Sequence, residues 1–312
     1  MCRVLVVGVG GVGVYFSGRL AQAGAEVTVV ARSDYEVASR SGYEIQSIAG
    51  DFHFTPAAVL KHAADYEGEP DYVILTAKVL PDADAVELLR PAVRSPKSVI
   101  VLIQNGIDIE RKVAEAFPEN EILSTIAYIG VSRPRPGFVL HQGSGDLKMG
   151  NYPSGIGEAA RRLAALFEKA GVKCELHEDI LFVRWNKLLW NLPFNPVSVL
   201  AGNATTRDMT RRDELEKLCR TLMDEVIAVA NACGVALTAE NADSQIEYTR
   251  NFPSYKTSML QDFEAGRELE VEAILGNTVR LAALHSIPVP HMETCYALLK
   301  SVNRLTQERR GN

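Results

Sequence analysis

The chain has 312 residues, 47% of them hydrophobic, enough to bury a sizeable core and to divide into two domains. Its formal net charge is −6 and its isoelectric point about 5.6, so no general attraction to nucleic acid or to an anionic membrane is expected. No stretch approaches the roughly 18 uninterrupted apolar residues of a membrane span, and no basic segment precedes the first apolar run, so neither a span nor a signal peptide is expected.

The first element is an apolar strand over 3–7 that runs straight into Gly8-Val9-Gly10-Gly11-Val12-Gly13. Such a strand, followed by Gly-x-Gly-x-x-Gly and a helix over 12–23, is built to hold a dinucleotide pyrophosphate. Gly8 permits the tight turn, Gly10 lets backbone approach the phosphates, and Gly13 lets the helix pack close to the sheet. The helix start adds unpaired N–H groups and its positive dipole end.

A second strand over 26–31 ends at Arg32. An NAD-binding chain usually carries Asp or Glu at that tip, to accept from the ribose hydroxyls. A guanidinium suits a 2′-phosphate in both charge and fork geometry, so Arg32 points to NADP(H). Asp34, two residues on, is the alternative that would reach an unphosphorylated ribose.

Further strands are predicted over 72–76, 99–103 and 122–128, with helices over 82–90 and 109–116. Segments 42–54 and 135–149 resemble small hairpins, and a helix over 157–170 and a strand over 172–176 complete this part. Strands separated by helical crossovers imply a parallel, doubly wound α/β sheet of Rossmann type. Strand signals then disappear. Helical periodicity covers 180–200, 213–233, 239–251, 269–285 and 292–305, with breaks at Gly202, Gly234, Pro253 and Pro288. The expected organisation is a nucleotide-binding domain over 1–178 and a mainly α-helical substrate domain over 179–312, with the substrate in a cleft between them.

The five cysteines are scattered, with no Cys-x-x-Cys, which fits thiols in a reducing cytosol. The six histidines show no metal-binding spacing, so no metal site is expected. The apolar content of the later helices permits a homodimer through the helical domain.

The most informative later stretch is Arg184-Trp185-Asn186-Lys187-Leu188-Leu189-Trp190-Asn191-Leu192-Pro193-Phe194-Asn195-Pro196. At about 100° per residue, Lys187, Asn191 and Asn195 fall within about 80° of one another on a helix. A lysine can protonate a carbonyl oxygen that gains charge during hydride attack, and amides can orient a small polar substrate. The competing interpretation is a polar stripe facing water. Pro193 falls inside the run and could swing Asn195 off the face of Lys187.

Taken in order, the glycine turn, Thr76-Ala77-Lys78, Gln104-Asn105-Gly106, the Lys187…Asn191…Asn195-Pro196 run, Ser258-Met259-Leu260-Gln261-Asp262, Gly266-Arg267-x-x-Glu270 and Ile287-Pro288-Val289-Pro290 resemble the ketopantoate reductases. This family, 2-dehydropantoate 2-reductase, belongs to the 6-phosphogluconate dehydrogenase-like group, and the resemblance spans nearly the whole chain. It implies reduction of a small 2-oxo acid, 2-dehydropantoate, to pantoate by NADPH. Lys187 matches the catalytic lysine and Glu270 the glutamate that completes the site. Asn105 matches a residue beside the nicotinamide ribose and the substrate, Lys78 a cofactor-contacting lysine, and Arg32 the 2′-phosphate arginine. Asn191, Asn195 and Ser258 match substrate-holding positions. Two positions depart from the pattern: Leu269 stands where many members have Thr, and Tyr255 where some have a substrate-contacting Asn. A reductase of another 2-oxo acid, or a non-catalytic NADP(H)-binding regulator, are the competing expectations.

Overall fold

The computed structural model describes residues 1–311. The chain divides into two compact units. One comprises Met1–Asn105 and Ile109–Leu181, the other Gly106–Asp108 and the chain from Phe182 onward.

The first unit begins β1 (Arg3–Val7), α1 (Gly11–Gln22), β2 (Glu26–Val30), α2 (Tyr35–Ser41), β3 (Tyr43–Ser47), β4 (Phe52–Phe54), β5 (Ala58–Leu60) and β6 (Tyr72–Leu75). It continues α3 (Ala85–Leu89), β7 (Val99–Ile103), α4 (Arg111–Ala116), β8 (Ile122–Arg135), β9 (Phe138–Asn151), α5 (Glu158–Lys169) and β10 (Cys174–Leu176). Strands β8-β7-β6-β1-β2-β5 lie side by side and parallel, the doubly wound order of a dinucleotide-binding sheet. Both faces are covered, and the alternation along β1 shows it. Val4 and Val6 enter one apolar core with α1 and α5, while Leu5 and Val7 enter another with α3 and α4.

Beyond β8 the sheet is no longer parallel throughout. β9 pairs antiparallel with β8, β3 and β10 each pair parallel with β9, and β4 pairs antiparallel with β3. The strand expected over 122–128 runs on to Arg135, and the segment expected as a hairpin over 135–149 is mostly the single strand β9. Register shifts between Tyr128 and Ile129, and again between Gly130 and Val131, explain the difference. Bulges break the period-2 alternation by which a strand is recognised. The hairpin over 42–54 is present as β3 and β4, whereas α2 and the three-residue β5 are too short to leave a periodic signal.

The second unit contains α6 (Ile180–Leu200), α7 (Thr206–Met209), α8 (Asp213–Ala232), α9 (Ala239–Asn251), α10 (Ser258–Glu264), α11 (Asn277–Leu284) and α12 (Pro290–Gly311), with no strand among its described residues. α8 packs against α7, α9, α11 and α12. α6 is buried along most of its length through Trp185, Leu188, Leu189, Leu192, Phe194 and Val197. The helix continues through both Pro193 and Pro196. The helix expected over 269–285 is present without a break over 271–284, but begins with a π-helical turn over Glu272–Gly276 that leads into α11. No helix among the described residues is long and apolar enough to cross a membrane.

Candidate active site

At the end of β1 the three fingerprint glycines answer three different demands. Gly8 has φ +89°, and a Cβ there would come within 2.7 Å of the Ala77 backbone. Its carbonyl accepts from the Gly10 N–H (2.9 Å) and the Thr76 hydroxyl (2.6 Å). A Cβ on Gly13 would run into that hydroxyl and the Gly8 carbonyl, whereas one on Gly10 would meet nothing within 4 Å. The open side is therefore at Gly10, where the backbone must approach phosphate. No acidic residue stands in the first turn of α1, so its N–H groups and dipole are unopposed by charge. These residues fit a dinucleotide pyrophosphate. Gly8→Val is expected to lower stability by at least ~2 kcal/mol through strain and overlap, checked by urea unfolding; an unchanged midpoint would contradict this account.

The Thr76-Ala77-Lys78 motif follows β6. Gln104, at the end of β7, donates through Nε2 to the Ala77 carbonyl (2.5 Å), tying two strand ends together beside the glycine turn. Lys78 and Asn105 are both half-buried there. Arg32 at the tip of β2 is exposed, while Asp34 is only 1% exposed. Asp34 is ion-paired with Arg133 and accepts from the Gly137 N–H (3.3 Å) and the Ser33 hydroxyl (3.3 Å). Its carboxylate is committed to the protein.

In the second unit, α6 carries Lys187, Asn191 and Asn195 at successive i, i+4 positions. Desolvation lowers the Lys187 pKa to about 7, helped by the positive charge of Arg184 and opposed by Glu270. An amine in that range is both present as ammonium and able to release its proton at neutral pH, as a general acid requires. Arg184 is buried one turn before Lys187 and donates through Nη1 to the Gly106 carbonyl (3.1 Å). Gly106 has φ +100°, and a Cβ there would overlap the carbonyl and side chain of Ala273. The Ile107 N–H reaches the Ala273 carbonyl (3.2 Å), and the Asn277 amide donates to the Ile107 carbonyl (2.7 Å).

Ala273 and Asn277 belong to the π turn and the start of α11, directly after Glu270. Isolated π turns are frequent at functional sites. This one is held by Glu272, whose carboxylate accepts from Tyr296 (2.7 Å) and Arg280 (2.8 Å). It lies across Gly276 where any Cβ would block it.

Asn195 stays on its stripe despite Pro193, but its amide is engaged at both ends. Nδ2 donates to the Asn191 carbonyl (3.0 Å), while Oδ1 accepts from the Met259 N–H (3.2 Å) and faces the Ser258 hydroxyl (3.4 Å). At 1% exposure, Asn195 docks the first turn of α10 and so places Ser258, which is exposed. Thr257, not Ser258, caps α10, accepting from the Leu260 N–H (3.1 Å). Of the two departures from the family pattern, Leu269 is 2% exposed and is a core side chain. Tyr255 is half-buried, its hydroxyl accepting from the Gln261 amide (3.4 Å).

The structure thus gathers Lys187, Glu270, Asn191, Asn195 and Ser258 in the second unit, and Gly8–Gly13, Arg32, Lys78 and Asn105 in the first. Arg184 carries no expectation from its sequence position alone. Its only local signal is the i, i+3 spacing to Lys187, which puts a second cation on nearly the same helix face.

Residues 4–154 match the family model described as ketopantoate reductase PanE/ApbA, and residues 179–303 match its C-terminal counterpart. The chain belongs to the ketopantoate reductase family. It is 31% identical over 303 residues to a 2-dehydropantoate 2-reductase from Nostoc sp., covering 96% of this chain and 94% of that one. It is 46% identical to a 2-dehydropantoate 2-reductase of known structure from Methylococcus capsulatus, with TM-score 0.91 and 97% of each chain covered. A D-mandelate dehydrogenase solved with NADH and anilino(oxo)acetate shares the fold at TM-score 0.89 and 19% identity, over 98% of this chain and 99% of that one. Ketopantoate reductases are nicotinamide-dependent oxidoreductases.

Proposed function

We propose that this ketopantoate reductase catalyses NADPH-dependent reduction of 2-dehydropantoate to pantoate, with Lys187 protonating the C2 oxygen. The observation that carries this reading is an amine on α6 that burial brings to a pKa of about 7, with the charges of Arg184 and Glu270 acting on it in opposite senses, in a chain of this family. Bound NADPH supplies the hydride to C2. Gly8, Val9, Gly10, Gly11, Val12 and Gly13 hold its pyrophosphate, Arg32 its 2′-phosphate, and Lys78 and Asn105 the nicotinamide half. Commitment of Asp34 to Arg133 removes the carboxylate that would otherwise select an unphosphorylated ribose.

Lys187 holds its proton at Nζ until the C2 oxygen gains charge, and Glu270 keeps enough ammonium present for that transfer. Asn191 and Ser258 orient the substrate's hydroxyl and carboxylate groups, and Asn195 acts through Ser258. Exposed Tyr248 on α9 and Phe252 just after it, with Leu298 and Leu305 on α12, offer apolar surface for a homodimer, read out by sedimentation.

The test is NADPH and NADH oxidation with 2-dehydropantoate and a panel of other 2-oxo acids. The expected result is the highest kcat/KM for NADPH with 2-dehydropantoate. A higher value for another 2-oxo acid would reassign the substrate. Tight NADPH binding without turnover on any of them would make the chain a regulator.

A further inference from the structure

At the tip of β2 the structure holds more than one arginine. Arg133, near the end of β8, reaches back across the sheet to the segment that follows Arg32. Its Nη2 donates to the Ser33 hydroxyl (3.1 Å) and its Nη1 is ion-paired with Asp34. Asp34 is buried, whereas the Arg133 side chain is 30% exposed, so the guanidinium is gripped from the protein side and open on the other. The Ser33 hydroxyl lies between them, accepting from Arg133 and donating to Asp34 (3.3 Å). Asp34 keeps the Gly137 N–H (3.3 Å) as a further donor, so the Ser33 proton can be given up to an incoming acceptor.

Orientation is what this arrangement adds. A surface arginine pays side-chain entropy to meet an anion, but one already fixed by a buried carboxylate does not. Its planar fork presents N–H groups suited to phosphate oxygens. Arg32 and Arg133 against Asp34 leave an excess of positive charge at the strand tip.

We propose that Arg133 and Ser33 complete, with Arg32, a subsite for the 2′-phosphate of an adenine nucleotide, and that Asp34 is the positioning residue that fixes Arg133. The inference rests on the NADP(H) reading given above. Asp34 then works against NAD(H) indirectly, by aiming a cation rather than by accepting from a ribose.

Four proteins test this: wild type, Arg32→Ala, Arg133→Met, and the double variant Arg133→Met/Asp34→Asn. The double variant removes the carboxylate that the single variant would leave buried and unpaired. The readouts are competitive inhibition by adenosine 2′,5′-bisphosphate against AMP, and kcat/KM with NADPH against NADH. Both Arg133 variants are expected to lose about tenfold in preference for the bisphosphate, the scale of one charge-assisted contact. The NADPH-to-NADH ratio should fall in step. A wild type that does not prefer the bisphosphate overturns the NADP(H) reading and this inference together. A wild-type preference that Arg32→Ala removes and both Arg133 variants retain overturns the inference alone. Equal losses toward bisphosphate and AMP also overturn it, because they report a structural role.

Discussion

Lys187→Ala is expected to lower kcat for 2-oxo acid reduction about a thousandfold, within the range that general acids contribute, while NADPH affinity measured by fluorescence titration persists. The separation of the two effects follows from placement. Lys187 lies on α6 in the second unit, whereas the glycine turn and Arg32 lie in the first. Lys187→Arg should not restore the rate, because a guanidinium holds its proton too firmly to release it. Wild-type rates in the alanine variant would remove Lys187 from the chemistry.

On the proposed mechanism the same lysine sets the pH dependence, with its ammonium as the reactive form and a pKa of about 7. The chemical step should therefore be fastest below that value and fall about tenfold per unit well above it, as ammonium becomes scarce.

The parts of this site that were legible in the sequence are the local ones. A strand running into Gly8, Gly10 and Gly13 is a contiguous pattern, and the Lys187, Asn191, Asn195 stripe needs only helical spacing. What the sequence does not display is who answers each of these groups. Asp34 could serve a ribose until Arg133, on a strand far along the chain, is seen to claim it. Asn195 resembles a substrate ligand until the N–H of Met259 occupies its amide oxygen. Arg184 is one polar residue in an apolar helix until the Gly106 carbonyl, 78 positions earlier, is found against it. The fold divides in the same way. The parallel core reads directly from its apolar runs, but β8 and β9 are interrupted by bulges, glycines and charges whose pairing only the folded sheet defines.

Two substitutions around Lys187 are expected to move its titration in opposite directions. Arg184 contributes a positive charge that disfavours the ammonium form, so Arg184→Met should raise the Lys187 pKa and carry the alkaline limb of kcat to higher pH. Glu270 favours the ammonium, so Glu270→Gln should lower the pKa and bring the limb to lower pH. At neutral pH the Gln variant then has less acid available and loses the carboxylate proposed to complete the site, for a combined loss in kcat of about a hundredfold. Arg184→Met also strands the buried Gly106 carbonyl and loosens the turn that follows Asn105, so its KM should rise even where its pH limb is favourable. Arg184→Lys separates the two effects. It keeps a cation near Lys187, so the limb should stay close to the wild-type position, while the shorter side chain fails to reach Gly106 and the KM defect remains. Limbs that move together in the Arg184→Met and Glu270→Gln variants, or not at all, would mean that the titrating group is not Lys187. A single general loss of stability would produce neither opposed shift.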